Sequence, residues 1–451
     1  MAVDLGVVGL DVYVPTRRGY RRPYINLDNA ASTPPLVAVA RKVEEFLPWY
    51  ASVHRGAGFK SRLATEIFEE ARRIVVASFG FSPATNVAIF VKNATEALNK
   101  LAHRWPWEAG DIVISSLAEH HSNDLPWRKK ARVLRLGLRP DGSLDLDHLA
   151  SLLAAHAPRV KLVAITGASN VTGVLPDIHQ AAILAHRYGA KIVVDAAQLA
   201  GHRPIFAFPD DDPRHLDFMA LSGHKIYAPF GQGALIGPRS FFARGDPEYA
   251  GGGTVSFVTP ESVAWALPPA RDEAGTPNTI GAVAMAVALK TLQAADLSRL
   301  ARREYGLTKR LYGGLARIPG VVLYGPPFPT VDRIGIVSFN LAGLPHGLVA
   351  AVLACDYAIG VRSGCFCAHP YVAWLLGTGG TTPPPGPERP GMVRVSLGLY
   401  NTEEDVDRLL HAIAEIAAES GYYRRCYEYE EGEGIWWPRG WRPEWGKWFR
   451  L

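Results

Sequence analysis

Short apolar runs alternate with amphipathic stretches through the first two thirds of the chain. The apolar runs have the length and composition of strands and lie at 86–91, 111–115, 161–166, 191–195, 217–221 and 233–237. Stretches with apolar residues at the spacing of one helix face lie at 61–80, 146–156 and 177–188. Strands that alternate with helices predict βαβ units around a mostly parallel sheet. Such a sheet binds ligands at the carboxyl ends of its strands.

A less regular pattern covers the region from about residue 280 to residue 420. It predicts a helix at about 280–318, strands at 321–324, 334–339 and 393–397, and a last helix from Thr402 to about Ser420. Thr402 and Asp405 have the spacing of a capping box, which supports a helix start at this point. Residues 377–391 are rich in Pro and Gly, so we predict an irregular loop there.

These patterns predict an α/β protein with three parts. We expect a large domain at 29–295 with the mostly parallel sheet and helices on both of its faces. A smaller α+β domain would combine 1–28 with 296–420, and 421–451 would form an extension that holds five of the eleven tryptophans. We expect this extension to dock on its own subunit or on a dimer mate. Stacking on single-stranded nucleic acid, a partner protein and a membrane surface are the alternatives.

The composition is that of a globular protein with a large core. Of 451 residues, 48% are hydrophobic and 20% are charged, which excludes disordered, collagen-like and disulfide-framework proteins. The net charge of +5 is too small over this length to indicate nucleic-acid binding. Four cysteines, no basic secretory leader and no apolar run of about 18 residues lead us to expect a cytoplasmic protein.

Two charged residues follow neighbouring strand-like runs. Asp195 closes the run 191–195, and Lys225 lies just after the run 217–221, within the segment Ser-Gly-His-Lys. A strand-end aspartate alone is commonly a helix cap, and a lone lysine is commonly a solvated surface group. Together at the ligand-binding edge of a sheet, they suit pyridoxal 5′-phosphate (PLP). This cofactor requires a Schiff-base lysine and a carboxylate beside its pyridinium nitrogen.

Three polar segments follow other strands and could surround the same cofactor. Thr95 opens a helix after 86–91, where free N–H groups could bind a phosphate or Thr95 could be an ordinary cap. His120 follows 111–115 and could stack on a flat ring, while the adjacent histidines make a poor metal site. Asn170 follows 161–166 and could equally belong to a polar turn.

A cysteine-containing loop and an arginine on a late strand are further candidates. In the loop 362–370, Cys367 could be a nucleophile, or Cys365, Cys367 and His369 could form half of a zinc site. Inert small residues are the third possibility, and the spacing alone leaves all three open. Arg394 could bind a substrate carboxylate, although a surface salt bridge is the commoner role of a strand arginine.

Taken together, these segments resemble the class V aminotransferase family of PLP fold type I. The similarity is greatest to the group II cysteine desulfurases and selenocysteine lyases. The matching segments, in chain order, are YINLDNAAST (24–33), SVHRG (52–56), NATEALN (93–99), EHHSNDLPW (119–127), SNVTG (169–173), VVDAAQ (193–198), LSGHKIYAP (221–229), EAGTPNT (273–279), RSGCFCA (362–368) and RVSLGLYNTEEDVDRL (394–409). Ten matches in the family's order are far more specific than any single one.

The resemblance implies a role for each matching position around PLP. The catalytic residues would be Lys225, as the Schiff-base lysine, with His120 and Cys367. The cofactor-binding residues would be Thr95, His120, Asp195, Gln198, Ser222, His224, Lys225 and Thr276. Asp195 would pair with the ring nitrogen, Gln198 would contact the ring hydroxyl, and His120 would stack on the ring. Thr276 would reach the phosphate of a second subunit, which implies a homodimer with shared active sites. Asn170, Arg362 and Arg394 would bind the substrate, and no metal is expected.

The implied activity is that of a PLP-dependent cysteine desulfurase. Such an enzyme converts L-cysteine to L-alanine, carries the sulfur as a persulfide on Cys367 and passes it to an acceptor protein for cofactor or iron–sulfur cluster assembly. Selenocysteine lyase, another C–S lyase and a molybdenum-cofactor sulfurase are alternatives. The string GCFC departs from the two residues that group II enzymes usually carry before the nucleophile, and it also resembles molybdenum-cofactor sulfurases. A non-enzymatic sulfur-relay scaffold is a more distant alternative. Cys365 could resolve a disulfide or persulfide with Cys367, or could be idle.

Overall fold

The chain divides into two compact units in the computed structural model, which describes residues 5–379, 386 and 389–451. The first unit consists mainly of Ser32–Ser169 and Val174–Ala301. The second consists mainly of Arg302–Leu451, together with Gly9–Ala31 and the short segment Asn170–Gly173. The residues 421–451, which we expected as an extension, belong to the second unit. Most of the predicted loop 377–391 lies outside the described residues.

A seven-stranded sheet forms the centre of the first unit. Its strands, in spatial order, are Asn86–Val91, Gly233–Pro238, Phe218–Ser222, Lys191–Asp195, Val160–Thr166, Ile112–Ser116 and Arg132–Leu136. Gly233–Pro238 runs antiparallel to both neighbours, and all other pairs are parallel. The central strands Phe218–Ser222, Lys191–Asp195 and Val160–Thr166 are buried over most of their length, which explains why they read as continuous apolar runs. The sheet is therefore mostly parallel, as predicted.

The helices and the remaining strands of this unit surround the sheet. The helices are Val37–Phe46, Phe59–Ala77, Ala94–Arg104, Leu125–Arg128, Leu146–His156, Ile178–Arg187, Arg239–Phe242 and Thr279–Ala294. An antiparallel hairpin pairs Val255–Val258 with Val263–Trp265. Asn93 starts the helix Ala94–Arg104 by accepting a hydrogen bond from the backbone N–H of Glu96 (3.1 Å).

The second unit is built on a four-stranded antiparallel sheet. Its strands, in spatial order, are Val321–Leu323, Ile336–Leu341, Met392–Ser396 and Arg362–Gly364. Three further pairs are Tyr13–Pro15 with Arg21–Pro23, Ile25–Asn26 with Ile359–Gly360, and Tyr427–Glu430 with Ile435–Pro438. The helices are His346–Tyr357, His369–Leu376, Glu403–Ala418 and Ser420–Cys426, preceded by Leu297–Leu315, which begins in the first unit. Thr402 and Asp405 form the predicted capping box.

The Trp-rich segment 421–451 packs on the core of its own unit. Tyr423 and Tyr427 are each 1% exposed within that core, and the rings of Trp436, Trp437 and Trp441 pack against it. Tyr427 also donates a hydrogen bond to the buried carboxylate of Asp356 (2.9 Å). Docking on the same subunit was one of the two arrangements that we expected for this segment.

A helix that spans a membrane requires a minimum length and a high mean hydropathy. Within the described residues, no single helix meets both requirements. The bent pair Thr279–Ala294 and Leu297–Leu315 meets them only when the two helices are counted together.

Candidate active site

Asp195 and Lys225 lie at the same edge of the large sheet. Asp195 is the last residue of its strand, and Lys225 ends the short 3-10 turn that follows the neighbouring parallel strand Phe218–Ser222. The Asp195 carboxylate is buried and accepts a hydrogen bond from the backbone N–H of Ala197 (3.0 Å). Burial raises the pKa of Asp195, and the positive charge of Lys225 opposes that rise. A buried carboxylate and an amine therefore interact across the carboxyl ends of two adjacent strands.

A helix N-terminus and several hydroxyl groups lie beside this pair. The backbone N–H of Ala94, the first residue of its helix, donates to Ser222 Oγ (2.9 Å). Gly233 permits the helix start to pack closely on the strand Phe218–Ser222. A Cβ at position 233 would lie 2.5 Å from the carbonyl oxygen of Leu221 and 2.6 Å from Asn93 Cα. Thr95 Oγ1 and Ser122 Oγ form a hydrogen bond of 2.7 Å. The positive end of the helix dipole and these hydroxyl groups make an anion-binding environment.

The hydrogen bonds around His120 determine which of its ring nitrogens carries the proton. The backbone N–H of Ser122 donates to His120 Nδ1 (3.1 Å), so this nitrogen is an acceptor. A neutral His120 therefore carries its proton on Nε2. Ser122 Oγ lies 2.9 Å from the same Nδ1 and connects His120 to Thr95. The sequence analysis gave Ser122 no role, although it lies inside the matching segment EHHSNDLPW.

Glu119, next to His120, is a second buried acid that the sequence analysis did not single out. It accepts hydrogen bonds from the Ser116 hydroxyl and from Asn123 Nδ2 (2.7 Å). Burial raises the pKa of Glu119 to about 8, and the negative charge of Asp195 adds to this rise. Glu119 is consequently neutral at pH 7 and adds no second negative charge beside Asp195.

The other predicted cofactor residues take different positions in the first unit. Gln198 is buried just after Asp195. The backbone carbonyl of His224 accepts hydrogen bonds from the N–H (2.8 Å) and hydroxyl (3.1 Å) of Thr33, which fixes the turn that carries Lys225. Thr276 is exposed at the surface of this unit. The roles assigned to all of these residues stay predictions.

In the second unit, Asn170, Arg362 and Arg394 come together although they are far apart in the sequence. Arg394 Nη1 donates to the backbone carbonyl of Asn170 (2.9 Å), and Asn170 Nδ2 donates to the backbone carbonyl of Phe366 (2.7 Å). Arg394 Nη2 contacts Asp28 Oδ1 (3.2 Å), and Arg362 Nη2 contacts Asp28 Oδ2 (2.9 Å). Asp28 therefore bridges the two arginines. Sequence reasoning gave it no role, although it lies in the matching segment YINLDNAAST.

Arg394 is buried in a way that leaves part of its guanidinium without a partner. It is 3% exposed, and burial lowers its pKa to about 10 despite the opposing charge of Asp28. Its Nε has no hydrogen-bond partner among the described residues. Its guanidinium also lies 4.9 Å from the ring centre of Phe366. A buried cation with a free donor is suited to a carboxylate ligand.

Cys367 lies on a tight turn next to this arginine. The turn is closed by a hydrogen bond from the Ala368 N–H to the Cys365 carbonyl (2.9 Å), and Cys367 is exposed. A negative charge on Cys367 raises the pKa of Arg394, so the two groups lie within electrostatic range of each other. Among the described residues, the one cluster of three potential metal ligands contains His186, His215 and Asp217 rather than the cysteines.

The histidines of that cluster do not preorganise a metal site. Their rings are stacked at 3.9 Å with 11° between the planes. A metal ion binds in the plane of an imidazole ring, and two nearly parallel stacked planes share no such position. Both rings instead face the carboxylate of Asp217, with His186 Nε2 at 2.8 Å and His215 Nε2 at 3.4 Å.

Comparison with known proteins supplies the family. Residues 25–409 match the family described as Aminotransferase class-V. The chain belongs to this family. It is 35% identical over 426 residues to a cysteine desulfurase of Escherichia coli O127:H6, with 92% of this chain and 99% of that protein covered.

Two solved structures are similar over most of the chain. The apo cysteine desulfurase of Thermococcus onnurineus NA1 has a TM-score of 0.78 and 34% identity, covering 88% of this chain and 95% of that chain. The cysteine desulfurase CsdA of Escherichia coli, in an S-sulfonic acid form, has a TM-score of 0.75 and 31% identity at the same coverage. These similarities confirm the predicted family, the PLP fold type I and the dependence on PLP.

The residues of the first unit fit this cofactor. Its phosphate matches the start of the helix Ala94–Arg104 with Ser222 and Thr95, its aldehyde matches Lys225, and its pyridinium nitrogen matches the buried Asp195. The positive charge of Lys225 favours the ionised form of Asp195, and the neutral Glu119 adds no second negative charge. The donor groups thus have the chemistry that each part of PLP requires.

Proposed function

We propose that this protein is a PLP-dependent cysteine desulfurase that converts L-cysteine to L-alanine and forms a persulfide on Cys367. One observation carries the proposal. Cys367 is exposed on a closed turn, and its charge acts on the buried Arg394. A thiol on an exposed turn can receive a sulfur atom and then offer it to an acceptor. The cysteine desulfurases among the relatives support the same substrate.

The first unit supplies the groups that move the Cα proton. PLP, when bound, withdraws the electron pair that remains on the substrate when the Cα proton leaves. The Asp195 carboxylate would keep the pyridine nitrogen protonated, and the Lys225 amine would take up the Cα proton. His120 would pack on the ring, and its neutral form carries the proton on Nε2.

The second unit supplies substrate binding and the nucleophile. Arg394, Asn170 and Arg362 bind the substrate carboxylate, which would replace Asp28 as the ligand of the two arginines. The Cys367 thiolate attacks the substrate sulfur, so that a sulfur–sulfur bond forms while the Cβ–S bond breaks. The carbon fragment leaves as alanine after protonation, and the persulfide supplies an acceptor protein for cofactor assembly.

We further propose a cytoplasmic homodimer in which each active site receives Thr276 from the other subunit. The surface of the first unit supports a dimer, because Thr276 is exposed and several apolar side chains are also exposed. Phe59 is 75% exposed, Phe257 66% and Leu267 81%, which is the kind of surface that a partner subunit covers.

The test incubates PLP-loaded protein with L-cysteine and, separately, with L-selenocysteine, and measures alanine together with the mass of the Cys367 peptide. Wild type should form alanine from L-cysteine and gain one sulfur atom on Cys367. Cys367→Ala should lose sulfur release by at least about tenfold, because the nucleophile is gone. Cys426→Ala is the matched control and should behave as wild type. Equal sulfide release by wild type and Cys367→Ala would reject the nucleophile, and no alanine from either substrate would reject the desulfurase.

A further inference from the structure

The turn that carries Cys367 also carries Cys365, which lies two residues earlier in the chain. Phe366 and Cys367, the central residues of the turn, both have left-handed backbones, with φ of 53° and 54°. This is the pattern of a type I′ turn, which reverses the chain sharply. Cys365 and Cys367 are two Cα–Cα steps apart, and each step is about 3.8 Å long. Because the turn folds these steps back, the two Cα atoms lie within the roughly 7 Å that a disulfide can span.

The surroundings of the two thiols differ in a way that suits sequential oxidation. Cys367 is exposed, whereas Cys365 is half-buried and its S–H donates to the carbonyl of Pro390 (3.4 Å). Burial raises the pKa of Cys365, the charge of Cys367 adds to the rise, and the charge of Arg389 opposes it. The two sulfur groups are therefore near enough for the charge of one to affect the other, and the cation Arg389 supports the thiolate of Cys365 once it forms.

We propose that Cys365 and Cys367 form a reversible intramolecular disulfide when a peroxide oxidises Cys367, which makes this turn a modification site. The disulfide would remove Cys367 from sulfur transfer, and only this consequence rests on the proposed function. The modification itself requires just the two thiols and the turn.

The chemistry balances in two steps. The Cys367 thiolate attacks one peroxide oxygen, so that an S–O bond forms, the O–O bond breaks and hydroxide leaves. Cys367 is then a sulfenic acid, oxidised by two electrons, while the peroxide is reduced. The Cys365 thiolate next attacks Cys367 Sγ, so that the S–S bond forms, the S–O bond breaks and a second hydroxide leaves. With two protons from the thiols, the products are one disulfide and two water molecules.

The other two cysteines lack this arrangement. Cys355 is buried, and burial raises its pKa to about 12, so it is not a thiolate at neutral pH. Cys426 packs against the core of the second unit. A resolving thiol next to Cys367 would capture the sulfenic acid before it is oxidised further to the irreversible sulfinic and sulfonic acids.

Peptide mapping of the full-length, PLP-loaded protein tests the modification directly. The protein is treated with an equimolar amount of hydrogen peroxide, alkylated and digested with trypsin. Both turn cysteines lie on peptide 363–394, because Arg389 precedes Pro390 and is not cleaved, while Cys355 lies on 334–362 and Cys426 on 426–439. We expect 363–394 to be two hydrogen atoms lighter and unalkylated, and the other two peptides to be alkylated. Prior reduction with dithiothreitol should restore alkylation of 363–394.

Cys365→Ser is the informative variant, and Cys426→Ser is its matched control. This assay uses about a tenfold molar excess of hydrogen peroxide, because sulfinic and sulfonic acids require a second and a third equivalent. After this treatment and then dithiothreitol, wild type and Cys426→Ser should recover about fivefold more alanine-forming activity than Cys365→Ser, because Cys367 is over-oxidised without its resolving thiol. Peptide 363–394 with oxidised Cys367 and alkylated Cys365, or cross-linked to a second copy, would overturn the proposal. The mapping does not depend on substrate. A mapped disulfide in a protein that never makes alanine would therefore refute the desulfurase and leave the modification site standing.

Discussion

At the scale of single residues, the two buried acids near the sheet edge have opposite tasks. Asp195 must be ionised to keep a pyridine nitrogen protonated, whereas Glu119 is held neutral by burial and by the charge of Asp195. The neutral Glu119 organises Ser116 and Asn123 without adding a second negative charge to the site.

We expect the Glu119→Gln variant to have a flatter dependence of stability on pH than wild type. The unfolded chain ionises Glu119 near pH 4.5, but the folded protein keeps it protonated until about pH 8. The native state then binds the extra proton, so this group lowers the free energy of unfolding by about 1.4 kcal/mol per pH unit across that window. Urea denaturation from pH 5 to pH 8 would show the difference. The exposed Glu66→Gln is the control, and an identical slope in wild type and Glu119→Gln would contradict the prediction.

Arg394 allows cofactor binding and substrate binding to be separated. We expect Arg394→Ala to keep the PLP absorbance but to require about 100-fold more L-cysteine for half-maximal alanine formation, because a buried charge-assisted hydrogen bond is lost. Asp28→Asn, which removes the competing carboxylate, should retain tight substrate binding. Bleached Arg394→Ala protein, or an unchanged KM, would argue against a substrate-binding role.

At the scale of elements, the docking of the Trp-rich segment depends on one buried carboxylate. Asp356 is fully buried, receives two hydrogen bonds from Arg17 (2.7 and 2.6 Å) and a third from Tyr427 (2.9 Å). Arg17 comes from the N-terminal part of the chain and Tyr427 from the C-terminal segment. Asp356 thus joins three distant parts of the second unit.

We expect Asp356→Asn to lower the free energy of unfolding by about 3 kcal/mol, because the Arg17 guanidinium loses its charged partner in a mostly buried position. Asp407→Asn is the matched control. Asp407 also receives two hydrogen bonds from an arginine, Arg310 (2.6 and 2.7 Å), but both partners are exposed. The control should leave stability unchanged, since solvent screens exposed pairs. Equal effects of the two substitutions in urea denaturation would refute the structural role of Asp356.

The sequence predicted the elements that continuous apolar runs indicate. It missed an edge strand without such a run and the contacts between residues far apart in the chain. The strand Phe218–Ser222 and the position of Lys225 follow from a buried apolar run and its end. The edge strand Arg132–Leu136 escaped prediction because its charged, half-exposed residues interrupt any apolar run. The bridge from Asp28 to Arg394 joins residues far apart in the sequence, so only the folded chain reveals it. No periodicity could have placed these side chains together.

At the scale of the whole molecule, the proposed dimer predicts a specific weakness. Sedimentation velocity of wild type should give about twice the chain mass of 49.0 kDa. Phe257→Glu places a charge on the exposed apolar hairpin of the first unit and should shift the protein towards monomer. Trp445→Glu is the control, because Trp445 is similarly exposed (68%) but lies in the second unit. A monomeric wild type, or a dimer that Phe257→Glu leaves intact, would contradict the proposed interface.

The central claim is that Lys225, among twelve lysines, is the one that binds the cofactor. Borohydride reduction of the PLP-loaded protein converts the Schiff base to a stable amine, after which trypsin no longer cleaves at the modified lysine. We expect a pyridoxyl group on peptide 215–239, which contains Lys225 as its one lysine. A label on any other lysine, or a label that persists in Lys225→Ala, would show that Lys225 does not bind the cofactor.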